Sequence, residues 1–191
     1  MSAEAIYRVT DALRARLQLA LTAAADPGTV FVGPLDSPDA AGASLILFLY
    51  RMMPNATLRN RERRVPSANP PPSVVTYRDS LPLDLYFLVT IGTRPGVNEE
   101  PLLRVLGYAI RELQSDPNLV GSVVAHESIH VTLEPLSTEE VSRIWALFPT
   151  ANYRTSIAYL ATPVWIDPAQ PFVPAQPVIQ DKLFAGQRAG L

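Results

Sequence analysis

Residues 83–91 alternate without a break: Leu83, Leu85, Phe87, Val89 and Ile91 take every second position, with Asp84, Tyr86, Leu88 and Thr90 between them. Successive side chains of a β-strand point to opposite faces, so this spacing makes one face continuously apolar. Such a strand needs partner strands beside it and a second layer over its apolar face. At 191 residues and 48% hydrophobic composition, the chain has enough material for one layered domain.

The covering layer is legible from a different period. Ile6, Val9, Leu13, Leu17 and Leu21 recur at three- and four-residue spacing, which predicts a helix over 3–25 closed by Asp26-Pro27-Gly28. Phe31-Val32 reads as a strand, and 44–52 as another, apolar at nearly every position and so covered on both faces. Asn98 is placed to cap a helix whose first turn holds Glu99, Glu100 and Pro101, all suited to its positive end. Leu102, Leu103, Val105, Leu106, Ala109, Ile110 and Leu113 form its buried face, and Asp116-Pro117-Asn118 closes it. The β-branched run 123–133 predicts a further major strand, ended by Pro135. Ser137 and Glu140 make a capping box, with Leu136 stapled against Val141, for a helix running to about Phe148. Residues 155–166 are again strand-like, with Pro163 marking a sheet edge or strand end. This order predicts an α+β fold: a largely antiparallel sheet with helices packed on one face. Tyr7, Tyr50 and Tyr86 read as aromatics at the edge of that core.

Two segments do not fit the periodic pattern. Residues 53–77 carry Arg59, Arg61, Arg63 and Arg64, then Pro66 and Pro70-Pro71-Pro72, and predict an extended, solvated arm within a domain spanning 1–167. Residues 168–191 form a Pro-rich tail in which Pro-Ala-Gln-Pro occurs twice, as Pro168-Ala169-Gln170-Pro171-Phe172-Val173 and Pro174-Ala175-Gln176-Pro177-Val178-Ile179. Such spacing favours the polyproline conformation, which makes no internal hydrogen bonds. Phe172, Val173, Val178, Ile179, Leu183 and Phe184 therefore need a surface to lie on, and a neighbouring subunit is the expected one. The arginines at 59, 61, 63 and 64 and these six apolar residues are the candidate interface positions.

Bulk chemistry narrows the function. The chain has no cysteine, which excludes disulfides, thiolate metal sites and a cysteine nucleophile. A net charge of −2 gives no general attraction to nucleic acid or anionic membrane, and the arginines lack the interleaved aromatics of a strand-binding groove. The longest apolar run, 45–50, is too short to span a membrane, and the N-terminal sequence is helical and charged rather than a secretory signal. Nucleophile elbows and phosphate-binding glycine loops are missing.

One string does resemble an enzyme motif: His126-Glu127-Ser128-Ile129-His130 fits the zinc-hydrolase pattern H-E-x-x-H. That chemistry needs a helix, where residues four apart share a face and reach one Zn²⁺. In the predicted strand the same spacing separates the side chains by roughly 13 Å, with Ile129, Val131 and Leu133 facing the core and His126, Ser128, His130 and Thr132 the polar side. The expectation is therefore no catalysis and no cofactor. A zinc-dependent hydrolase, distinguished by metal content, and a monomeric protein-binding adaptor, distinguished by size, are the alternatives.

Four stretches together resemble a known family: Leu49-Tyr50-Arg51-Met52-Met53-Pro54-Asn55 with Leu58-Arg59-Asn60, then 83–90, then 131–145 including the Trp145-bearing helix, and finally Tyr153-Arg154-Thr155-Ser156-Ile157-Ala158-Tyr159. They resemble the N-terminal domain of the tail-terminator, or cap, proteins of extracellular contractile injection systems of the antifeeding-prophage and virulence-cassette type. The resemblance covers about residues 6–167. It implies a phage-tail-terminator-like fold that assembles as a homo-hexameric ring on the distal end of the inner tube, with tube and sheath proteins as partners. It implies no catalytic residues, and assembly in the bacterial cytoplasm as part of a phage tail-like particle. Longer members carry a further C-terminal region, whose roles are not carried over to the repeat-bearing tail.

Overall fold

A computed structural model of the chain describes residues 3–66, 74–125 and 127–171. In chain order the elements are α1 (Ala5–Ala23), β1 (Val30–Val32), β2 (Leu45–Pro54), β3 (Arg63–Pro66), β4 (Val74–Tyr77), β5 (Leu81–Ile91), α2 (Glu99–Ser115), β6 (Asn118–Leu119), β7 (Ile129–Glu134), α3 (Thr138–Ala146) and β8 (Ser156–Ile166). Short 3-10 turns occupy Pro38–Ala40 and Ser122–Val124. Six strands form one sheet in the order β1-β2-β5-β8-β7-β6, parallel between β1 and β2 and antiparallel elsewhere. No helix among the described residues is long and apolar enough to cross a membrane.

β5 sits mid-sheet, and the alternation that predicts it explains why. Leu83, Leu85, Phe87, Val89 and Ile91 are all buried on one face, where Val9, Leu13, Leu17 and Leu21 of α1 and Leu102, Val105, Leu106, Ala109 and Leu113 of α2 cover them. Leu88 and Thr90 are buried too, because the opposite face has its own cover. There Ile46, Leu88 and Ala158 pack with Trp145, Phe148 and Leu35 in a second cluster, joined by Leu136, Val141 and Ile144. The sheet is largely antiparallel and its two long helices share one face, as expected. The short α3 departs from the one-face arrangement by covering the other side. Its entry is the predicted capping box, with Ser137 accepting from the Glu140 backbone and the Glu140 side chain accepting from the Ser137 N–H.

Asp26, just after α1, accepts from the Gly28 N–H at 2.8 Å, the Ser44 hydroxyl at 2.5 Å and Arg94 at 2.9 Å, tying the helix end to the sheet. Asn98 has the extended backbone of a cap, but its side chain makes no capping hydrogen bond. Pro163 lies in β8, an interior strand, yet the ladder from β7 stops at Thr162 and the β5 register shifts opposite Asp84. Its missing donor therefore falls where the strand is locally an edge beside a bulge.

The run 123–133 departs from the expected continuous strand. Val123 and Val124 lie in a 3-10 turn, and the strand begins only at Ile129. Gly121 and Ala125 have φ of +87° and +55°, so the backbone reverses on either side of the turn before pairing resumes. Ile129 and Val131 are buried as expected, whereas Leu133 reaches the end of the helical cover and is exposed. Tyr7 is likewise exposed rather than at the core edge.

Tyr159 is the one buried side chain whose polar atom finds no hydrogen-bond partner among the described residues. Burial pushes its phenol up to about 12. Because the hydroxyl gains nothing from its surroundings, Tyr159→Phe should leave the urea midpoint unchanged or raise stability by about 1–3 kcal/mol. A clear loss would show that the hydroxyl is satisfied.

Candidate assembly surfaces

Strands β2, β5 and β8 are the longest in the sheet, and at one end they outrun the helices that cover them. β1 pairs only with Leu45 to Leu47, so the outer side of β2 from Phe48 to Pro54 has no sheet neighbour among the described residues. Arg51, Met52, Met53 and Pro54 are exposed there, and Leu81 is exposed across the sheet. The Arg51 guanidinium lies 4.9 Å from the Tyr86 ring centre, and Tyr86 packs beside Tyr50 at 6.2 Å. Tyr50 is pushed up to about 12, chiefly by burial and then by Glu134. Arginine, tyrosine and methionine side by side on an open edge match the residue types concentrated at protein interfaces.

Residues 53–66 and 74–77 are more structured than the composition of the arm suggests. Asn55 starts it, accepting from the Thr57 and Leu58 N–H groups and donating to Asp84 at 2.9 Å, which fixes the chain as it leaves β2. β3 and β4 then pair as an antiparallel ribbon from Arg63 opposite Tyr77 to Pro66 opposite Val74. Of the four arginines, Arg59, Arg61 and Arg64 are exposed, and Glu62 and Asp79 stand among them. Arg64 lies 3.9 Å and Arg78 3.3 Å from Glu62. The surface is therefore of mixed charge.

Arg63 is different: it is buried and serves as an anchor rather than a solvated contact. It donates to Glu127 and to Asp167, the latter at 3.1 Å, and its guanidinium lies 5.0 Å from the Trp165 ring centre. Ser80 donates to the same Asp167 oxygen at 2.8 Å. Burial pulls the guanidinium below its usual range, and Asp167 opposes that. One side chain thus joins the ribbon, the end of β8 and the segment before β7. Arg63 and Arg64 are neighbours of one type, and only strand alternation after folding separates their roles.

The same contact takes in the H-E-x-x-H string. Glu127, which would be the general base, is held by Arg63 in an irregular segment, and residues 129–134 are strand rather than helix. His130 is exposed on β7 and its Nδ1 lies 2.9 Å from Asn118 Oδ1. His126 lies outside the described residues, as do the candidate tail residues Phe172, Val173, Val178, Ile179, Leu183 and Phe184.

Residues 8–180 match the sequence profile of a family described as the Pvc16 N-terminal domain. The chain belongs to the Pvc16 N-terminal domain family. Its fold agrees with two solved structures. One is the sheath/tube terminator, in the extended state, of the extracellular contractile injection system PVC: TM-score 0.62, 17% identity, 97% of this chain and 65% of that one. The other is the tube-terminating cap of the anti-feeding prophage: TM-score 0.58, 16% identity, 88% of this chain and 58% of that one. The chain therefore spans less than two thirds of either of these longer proteins. No curated protein sequence matches it. The span matched to the Pvc16 N-terminal domain takes in β5 and the Trp145-bearing α3. Trp145 donates from its indole nitrogen to Ser156 at 3.2 Å, joining α3 to β8.

Proposed function

We propose that this chain is a non-enzymatic terminator, or cap, subunit that ends the inner tube of a contractile injection system and anchors its sheath. The observation that carries this reading is the fold match to a PVC sheath/tube terminator over 97% of the chain. It works as a homo-hexameric ring, with tube and sheath proteins as partners and with neither nucleic acid nor membrane as a ligand. The particle is assembled in the bacterial cytoplasm. The open edge of β2, the exposed Met52, Met53 and Leu81, and the ribbon bearing Arg59, Arg61 and Arg64 support the reading, because a ring subunit must present unpaired edges and adherent side chains to its neighbours. The three arginines face tube or sheath.

The test is native mass measurement of the purified protein, with imaging of particle ends formed from cognate tube and sheath in its presence and absence. Rings of six and capped ends of uniform tubes are expected. Changing Arg59, Arg61 and Arg64 together to Glu should release the cap at moderate salt, where attraction between exposed charges beyond about 8–10 Å is largely screened. A strictly monomeric protein with no effect on tube ends would favour the adaptor reading instead.

A further inference from the structure

Between α1 and the turn after β6 runs a groove of about 200 Å³, walled by Ala12, Ala15 and Leu19 on one side and by Val120 and Val123 on the other, with Val124 beneath. Leu19, Val120 and Val123 are 58%, 58% and 53% exposed. Three large apolar side chains, each more than half exposed, converge on one concave strip that no other described residue covers. Arg16 at its rim is held by Asp116 at 2.5 Å and Glu112 at 3.9 Å, which fixes the wall formed by α1.

The C-terminal segment starts close by. Asp167, the residue after β8, is joined through Arg63 to Glu127, and the Glu127 N–H donates to the Val124 carbonyl at 3.2 Å. The root of the tail therefore stands one guanidinium and one peptide hydrogen bond from the floor of the groove. The family match extends to residue 180, so it includes both Pro-Ala-Gln-Pro units and not just the sheet domain.

We propose that the chain's own tail closes this groove, with Phe172 and Val173 seated against Leu19, Val120 and Val123. The five residues beyond Asp167 reach at most about 15 Å, and Ala169 and Gln170 bend the chain on the way. Pro168, Pro171 and Pro174 restrict the segment before it docks, so little further freedom is lost. The tether holds the pair at an effective concentration in the millimolar range, which favours the tail of the same molecule over that of a neighbour. The assignment differs from the inter-subunit position expected from sequence, and it is independent of the terminator reading.

The absence of native cysteine makes the test clean. In the full chain carrying Val123→Cys and Val173→Cys, mild oxidation at low protein concentration should give an intramolecular disulfide. Adding Leu19→Glu, or separately Val120→Glu, keeps the tether but places a charge in the groove, and should slow that reaction roughly tenfold. Both positions are exposed, and circular dichroism of each variant checks that the fold is kept. Equal rates with and without the added Glu would overturn the proposal, as would a disulfide-linked dimer as the main product, which would place a second copy's tail in the groove. Neither result would bear on whether rings cap tubes.

Discussion

Arg63→Met should lower the stability of the domain by about 3–5 kcal/mol, the typical cost of removing one partner from a buried ion pair. The side chain is 6% exposed, and Asp167 beside it 5%, so water does not readily replace the lost guanidinium. Three contacts go at once: the bonds to Glu127 and Asp167 and the stacking on Trp165. Against a typical domain stability of about 5–15 kcal/mol, the loss is large enough to read from urea unfolding midpoints. Arg63→Lys should fall between the two, because an ammonium cannot bridge both carboxylates and lie flat on an indole. Adding Glu127→Gln and Asp167→Asn to Arg63→Met should recover part of the loss, since the carboxylate charges that faced the guanidinium are then removed. If Arg63→Met costs no more than its exposed neighbour Arg64→Met, the anchoring role is wrong.

Phe87→Ala should cost a similar amount, about 3–5 kcal/mol, by a different route. Its ring is fully buried, in register with Leu49 on one side and Tyr159 on the other, beneath the two long helices. Truncation removes the transfer energy of the ring and leaves a cavity that the flanking strands and covering helices cannot fill. Leu133→Ala on the same sheet is the control, because that side chain is already 43% exposed and should cost under about 1 kcal/mol. Comparable losses at the two sites would mean that the helices do not cover the sheet as described.

Most elements were legible because they depend on period alone. The α1 stripe, the β5 alternation and the Ser137–Glu140 box each rest on residues within a few positions of one another. The rest was hidden wherever a distant segment decides the outcome. The strand predicted from Val123 starts six residues late because Val124 is taken by α1 while Glu127 is taken by Arg63. The β3–β4 ribbon lies in a Pro- and Arg-rich stretch that composition marks as solvated. Tethering of Arg63 to residues 64 and 104 positions away is what gives it order. Pro163 could be placed at a strand edge, but not within an interior strand whose neighbour happens to end there.

By itself, then, the sequence determined the α+β class, the helix and strand faces, and the resemblance to a tail-terminator family that the profile match over residues 8–180 bears out. Tertiary structure alone decided which of four similar arginines is an anchor, which face α3 covers, and that Glu127 is held in an ion pair. Periodicity is a property of neighbouring residues, so it is written in the chain. Burial of a charge depends on which remote group arrives beside it, and only the folded molecule brings those groups together.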